Sequence, residues 1–260
     1  MGVVNVTPDS FSDGGHFLYP AAAIAEARGM VEEGAAIIDI GGESTRPGSE
    51  GVSLDEELRR VEPVLEALLD VPRSIDTSKA EVARRALETG AVMVNDVTAL
   101  RGDPDLAGVV AEADAYLCLM HMLGEPRTMQ EDPRYDDVVS EVISFLDERL
   151  AFATDSGIAE DHICLDPGIG FGKTVEHNLD LLARLDELVA LGRPVLVGAS
   201  RKRFLGRVLG DPDAVTGPVA AGIAVAVLAY ERGASIVRAH DVREHVAALK
   251  AAQAVVESPA

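Results

Sequence analysis

The chain has 260 residues, 47% of them hydrophobic, enough to bury a substantial core as one α/β domain spanning residues 1–260. Its 44 acidic residues outnumber 23 basic ones for a net charge of −21; such a surface repels nucleic acid and anionic membrane, which are bound chiefly through cationic side chains. The longest apolar run, 219–230, is too short to cross a bilayer, and no charged-then-apolar leader opens the chain, so neither a membrane segment nor a signal peptide is expected.

Two cysteines, Cys118 and Cys164, sit inside apolar runs and read as packed thiols in a reducing, cytoplasmic compartment rather than as a disulfide. Only four of the basic residues are lysines: Lys79, Lys173, Lys202 and Lys250. So acidic a surface repels itself unless salt screens it, which points to a high-salt cytoplasm, with a merely acidic mesophilic protein as the alternative.

In chain order, eight short apolar runs alternate with longer segments of helical spacing. Strands are expected at 2–6, 36–40, 73–76, 92–96, 115–120, 163–166, 194–198 and 236–239. Helical patterns between them include 21–33, 54–69, 79–89 and 136–156. Several helices end at a glycine just before the next strand, at Gly34, Gly90, Gly157, Gly192 and Gly233, where a left-handed C-terminal cap is expected. Eight β-then-α units in this length fit a (β/α)8 TIM barrel better than an open sheet.

Barrel sites lie at the C-terminal strand ends. Asn5, Asp39, Asp76, Asn95 with Asp96, His121, Asp166, Ser200 to Arg203, and Arg238 with His240 all fall there. The stretch ICLDPGIGFGK, 163–173, runs a buried strand into a carboxylate and then a Pro-Gly turn, which aims an acid at a ligand; alone, it would also serve as an ordinary turn or helix cap. The first loop, NVTPDSFSDGG (5–15), carries Phe11 between two acidic residues, suiting either a lid over a flat ligand or a turn-rich surface loop. GGESTRPGS (41–49) offers Thr45 and Arg46 before a stiffening Pro47. SRKR (200–203) gathers three cations at a helix start, an anion site, and RAHDV (238–242) adds a cation and an imidazole. Cations collected at these ends of so acidic a chain imply an anionic substrate or leaving group.

Together these stretches closely resemble the dihydropteroate synthases. NVTPDSFSDGG, IDIGGESTRPGS, SIDTSK, VNDV, MHM, LDPGIGFGK, SRK and RAHDV stand in the family's order over nearly the whole chain. The resemblance implies a magnesium-dependent, sulfonamide-sensitive enzyme that joins (7,8-dihydropterin-6-yl)methyl diphosphate to 4-aminobenzoate. It implies that Asp76, Asn95, Asp166 and Lys202 hold the pterin, that Asn5 ligates Mg2+, and that Thr45, Arg238 and His240 hold the diphosphate. Asp13 would stabilise a cationic methylene, so the catalytic set is Lys202, Asp76, Asp13, Arg238 and His240. Phe11, Arg46, Pro47, Phe171 and Arg203 would belong to the substrate-binding loops, most of them around the aminobenzoate. Lys173 and His121 would touch ligand or support those that do, and Asp39 and Asp96 would stand behind them. The helix at 219–230, apolar on all sides, would form a homodimer; a fully buried helix is the alternative.

The chain departs from the family pattern in three places. It starts close to the first strand, so residues that would close the barrel floor are expected to be missing. Arg203 stands where many members carry Ser, and 210–218 differs from the usual loop. A pterin-binding methyltransferase shares the Asp-Asn-Asp set but needs neither the first two loops nor Arg238-x-His240, and the presence of Asn5, Arg46, Lys202, Arg238 and His240 argues against a non-catalytic pterin carrier.

Overall fold

The computed structural model describes residues 1–7, 19–46 and 48–258. Eight strands run parallel: β1 (Gly2–Asn5), β2 (Ile38–Gly41), β3 (Arg73–Asp76), β4 (Met93–Asp96), β5 (Tyr116–Met120), β6 (Ile163–Asp166), β7 (Leu196–Val197) and β8 (Ile236–Val237). The first six pair in sequence order and the last two pair with each other. Two single bridges join these sheets into a ring, Leu165 to Val195 and Gly2 to Ala239. Leu165 N–H donates to Pro194 O at 2.9 Å, and Val3 N–H to Ala239 O at 3.1 Å.

β7 and β8 are shorter than the expected 194–198 and 236–239. Proline cannot donate to a ladder, so Pro194 contributes only its carbonyl. β2 also starts at Ile38 rather than Ala36, because Ala35 N–H is still closing the preceding helix on Met30 O at 2.9 Å.

Parallel strands of a barrel alternate their side chains between helix layer and lumen. Ile38, Ile40, Ile75, Leu117, Ile163 and Leu165 are 0–1% exposed and pack with helix residues in the main core. Truncating one of them to alanine costs about 2–5 kcal/mol. The inward set changes character along the barrel axis. Low in the lumen Met93, Cys118, Cys164 and Leu196 form a small apolar cluster joined by Met1, Ile37 and Ile236. Toward the C-terminal strand ends the inward positions become Asp39, Asp76, Asn95 and Asp166. The ring's apolar base supports a polar mouth.

The helices are α1 (Tyr19–Glu32), α2 (Leu54–Ala67), α3 (Ala80–Glu88), α4 (Leu106–Glu112), α5 (Val138–Asp155), α6 (Val175–Ala183), α7 (Leu185–Val189), α8 (Arg203–Val208), α9 (Val219–Glu231) and α10 (Val242–Val256). Ser53 caps α2 by accepting from Glu56 N–H at 3.3 Å, and Thr174 caps α6 in a reciprocal box with His177. The five expected capping glycines all take positive φ, between +76° and +105°. α9 is not fully buried: Gly222, Ala226 and Ala229 face the core, whereas Leu228 is 47% exposed. No helix among the described residues is long and apolar enough to cross a membrane.

Candidate active site at the barrel mouth

The floor of the mouth is a charged cluster drawn from four strands. β2, β3 and β4 bring Asp39, Asp76 and Asn95 side by side, because Gly41 pairs with Asp76 and Asp76 with Asn95. Across the ring, Arg238 leaves β8 and donates from Nε to Asp39 Oδ2 at 2.6 Å and from Nη2 to Asp76 Oδ2 at 2.8 Å. Asn95 Nδ2 donates to the same Asp39 oxygen at 3.0 Å. Asp39, wholly buried, therefore stands behind Arg238 and Asn95 and orients both. Asn95 Oδ1 and Asp39 Oδ1 are buried without a partner among the described residues, and a buried acceptor left unsatisfied costs about 1–3 kcal/mol. Burial pushes the Asp76 carboxyl up to about 7, against the pull of the Arg238 cation.

The sixth-strand loop forms the adjoining wall. Asp166 Oδ1 accepts Gly168 N–H at 2.7 Å, turning the chain immediately after the strand. A side chain at Gly168 is forbidden twice: φ is +67°, and a Cβ would lie 1.8 Å from His121 O. Gly170, with φ +85°, lets the stem of Lys202 pass, since a Cβ there would approach Lys202 Cδ to 3.0 Å. The Lys202 ammonium donates to Ile169 O and lies 4.5 Å from the centre of the Phe171 ring, a cation–π contact. Burial lowers Lys202 to about 8, with Asp166 opposing the shift, and burial likewise raises Asp166.

Lys173 does not open onto the mouth as a free cation. It is 3% exposed, and its Nζ meets His121 Nδ1 at 2.9 Å and donates to Phe171 O at 3.0 Å, bracing the loop from behind. Burial and then the Lys173 charge hold the His121 imidazole down to about 2. Gln130 and Tyr135 add bonds to Gly170 O at 2.6 Å and Gly172 O at 2.8 Å. Asp96 also works locally, accepting from Thr98 and Leu100 N–H to shape the turn where Ala99 and Leu100 take positive φ.

The seventh and eighth loops supply the rim. Ser200 Oγ lies 3.2 Å from both the backbone N and Nδ1 of His240. Burial, then the charges of Arg238 and Arg201 and more weakly Arg46, hold the imidazole down to about 3, so it is neutral at pH 7. Arg201 is turned aside into an ion pair with Asp241 at 2.6 Å. Arg203 starts α8 and is half-buried; Asn5 ends β1; Thr45 is half-buried and Arg46 exposed on the β2 loop. Phe11, Asp13 and Pro47 lie outside the described residues.

A groove of about 700 Å3 lies outside the ring, lined by Pro133, Tyr135, Thr174, His177 and neighbours. Unlike the mouth, it lacks a set of buried converging charges. Three residues to which the sequence reading gave no role tie the second loop to its neighbours: Glu43 on the loop itself, Glu57 on α2 and Lys79 after β3. Glu57 left one signal, a carboxylate on the same α2 stripe as Val61, Val64 and Leu65.

A ring of parallel strands with acids, an amide and cations converging at its C-terminal ends has the architecture of a barrel enzyme. Residues 1–240 match the family described as pterin binding enzyme. The chain is 48% identical to a dihydropteroate synthase of Synechocystis over 98% of its own length and 89% of the relative's. It is 52% identical over 98% of its length to a probable bifunctional folylpolyglutamate synthase/dihydropteroate synthase of Halobacterium salinarum, of which it spans 31%. A solved Xanthomonas albilineans dihydropteroate synthase with 4-aminobenzoic acid superposes with a TM-score of 0.92 at 48% identity, covering all of this chain and 93% of that one. The chain belongs to the pterin-binding enzyme family, among its dihydropteroate synthases.

Proposed function

We propose that the chain joins (7,8-dihydropterin-6-yl)methyl diphosphate to 4-aminobenzoate, giving 7,8-dihydropteroate and diphosphate, with residues 1–260 acting as one pterin-binding domain. The observation that carries the residue assignment is the floor itself. Asp76, Asn95 and Asp166 are each 8% exposed or less, and Asn95 Oδ1 is an unpaired acceptor there. A pterin edge offers adjacent N–H donors, which ionised carboxylates and an amide oxygen accept. Lys202, already near Phe171, donates to the ring carbonyl.

The bond that breaks joins the pterin methylene to a diphosphate oxygen, both electrons leaving with the oxygen. The two bonds from Arg238 to Asp39 and Asp76 engage two of its five N–H donors, so the guanidinium can hold the floor and face the leaving anion together. With Nδ1 turned to Ser200, His240 offers Nε2–H to the same anion, and Thr45 and Arg46 approach it from the second loop. The arylamine nitrogen then forms the new C–N bond and releases its proton; it needs no strong base because it is neutral already. Phe171 and Arg203 line the aminobenzoate side; Phe11, Pro47 and Asp13 lie outside the described residues, and the family resemblance gives the first two an aminobenzoate role and Asp13 the stabilising of the methylene cation.

Asn5 supplies one hard oxygen at the end of β1, and the described residues contain no group of three or more His, Cys, Asp or Glu arranged to hold a metal ion. That donor set fits Mg2+, which keeps waters and substrate phosphates as most of its ligands, and not a metal needing a protein cage. When bound, Mg2+ would neutralise charge on the diphosphate.

Three wider readings go with this one. The apolar outer face of α9, with Leu228 and Val219 exposed, suits a second copy of the chain as its cover. The net charge of −21 suits a high-salt cell. The two buried free thiols suit a reducing cytoplasm.

Turnover in molar KCl with Mg2+ tests the function: dihydropteroate by mass spectrometry together with released diphosphate, both lost in Lys202→Ala. Asp166→Ala should weaken binding of the pterin by about 2–3 kcal/mol. A folded protein that binds pterin without forming product would return the carrier reading.

A further inference from the structure

The second loop, carrying Thr45 and Arg46, is tied to the barrel through a half-buried ionic bridge outside the floor. Lys79, just after β3, places Nζ 2.5 Å from Glu43 Oε2 on that loop and 2.5 Å from Glu57 Oε2 on α2. Glu57 is 0% exposed, and its other oxygen accepts from Thr77 Oγ1 at 2.7 Å. Glu43 Oε2 also accepts Val52 N–H at 3.1 Å, so one carboxylate pins both ends of the loop. A buried carboxylate is strongly unfavourable unless paired, and α2 could have carried an apolar residue here, as it does at Val61 and Leu65. Burial pushes the Lys79 ammonium down, but the two carboxylates more than reverse it, so the ammonium keeps its charge.

Within the loop Ser49 donates from Oγ to Ser44 O at 2.6 Å and Arg46 O at 2.7 Å, which closes the turn on itself, and two other bonds tie the loop to its surroundings. Arg60 Nη1 donates to Gly42 O at 2.8 Å at its base, and Gly48 N–H to Pro126 O at 3.0 Å beyond its tip. Neither fixes the stretch between Glu43 and Arg46 against the third strand, where Asp76 emerges three residues before Lys79. Only the bridge spans that gap among the described residues.

We propose that Lys79 and Glu43 are positioning residues that set Thr45 and Arg46 against the anion and aminobenzoate side of the mouth, with Glu57 as the buried anchor. The inference rests on the synthase reading of the same mouth. It predicts a split: loss of the bridge raises the KM for the parts of both co-substrates that the loop holds, while the pterin floor, whose Asp39, Asp76 and Asn95 are tied through Arg238 and one another and not through the bridge, keeps its affinity.

Glu43→Ala cuts the loop end of the bridge and leaves the Glu57–Lys79 pair intact, so the fold is retained. Its KM for 4-aminobenzoate should rise about tenfold, while its Kd for a pterin lacking diphosphate stays within about twofold. Lys79→Met alone strands a buried carboxylate and should melt early. Lys79→Met with Glu57→Gln should recover the melting temperature yet keep the raised KM, and Lys79→Arg should restore part of it. An active parent with unchanged KM in folded Glu43→Ala overturns the positioning role, as does pterin affinity falling in step with KM. An inactive parent overturns the synthase reading instead.

Discussion

Single residues at the mouth carry opposite pH dependences, and their signs follow from burial. Asp76 rises from 3.8 to about 7 on folding, so the folded chain holds that proton more tightly than the unfolded one. Its contribution to stability is complete below 3.8 and is lost as pH rises through about 7. His240 is held down from 6.5 to about 3, so the unfolded chain binds more protons between those values. Its contribution is complete above 6.5 and is lost as pH falls toward 3. Binding follows the charge of Asp76: both of its oxygens accept pterin N–H donors only when the carboxyl is ionised, and the bonds are then charge-assisted. Pterin affinity should therefore drop up to about tenfold from pH 8 to pH 6, by titration calorimetry. Asp76→Asn should bind weakly throughout and lose most of that slope. The position of Asp76 was readable from its strand-end motif. Its attachment to Arg238 was not, because the two lie 162 residues apart.

At the scale of elements, the sixth loop is the most constrained segment of the mouth. Three glycines after an apolar run announce a loop, yet nothing local says which of them a carbonyl forbids to change. Gly168→Ala meets both positive φ and His121 O at 1.8 Å, and should lose at least about 2–3 kcal/mol in urea melts. Gly192→Ala, at φ +76° with nothing within 4 Å of the added Cβ, should lose only about 1 kcal/mol. A similar loss at both positions would mean that φ alone, and not the close approach of the fifth and sixth loops, sets the cost. Helix ends were well read for the same reason that loops were: caps and turns are decided by residues within a few positions. The strands β7 and β8 were overextended because an apolar run does not reveal where its ladder partner stops.

The whole molecule adds charge and surface. With a net charge of −21, self-repulsion dominates at low ionic strength, so thermal stability should increase from millimolar to molar KCl; a fall would contradict the high-salt reading. α9 leaves an apolar strip on the surface, and Leu228→Arg should convert a dimer to a monomer in light scattering without unfolding it, since that side chain is 47% exposed. A parent that is already monomeric would remove the dimer from the account. Period, turn chemistry and composition by themselves determined the alternation of eight strands with helices, the caps and the polar strand ends, because each is encoded in residues near one another in the chain. The tertiary structure alone decided how the ring closes, that Arg238 rests on Asp39 across 199 residues, and that Lys79 joins Glu43 to Glu57. Those contacts depend on which strand ends meet around the barrel, and buried charges select their partners by distance in space, not in sequence.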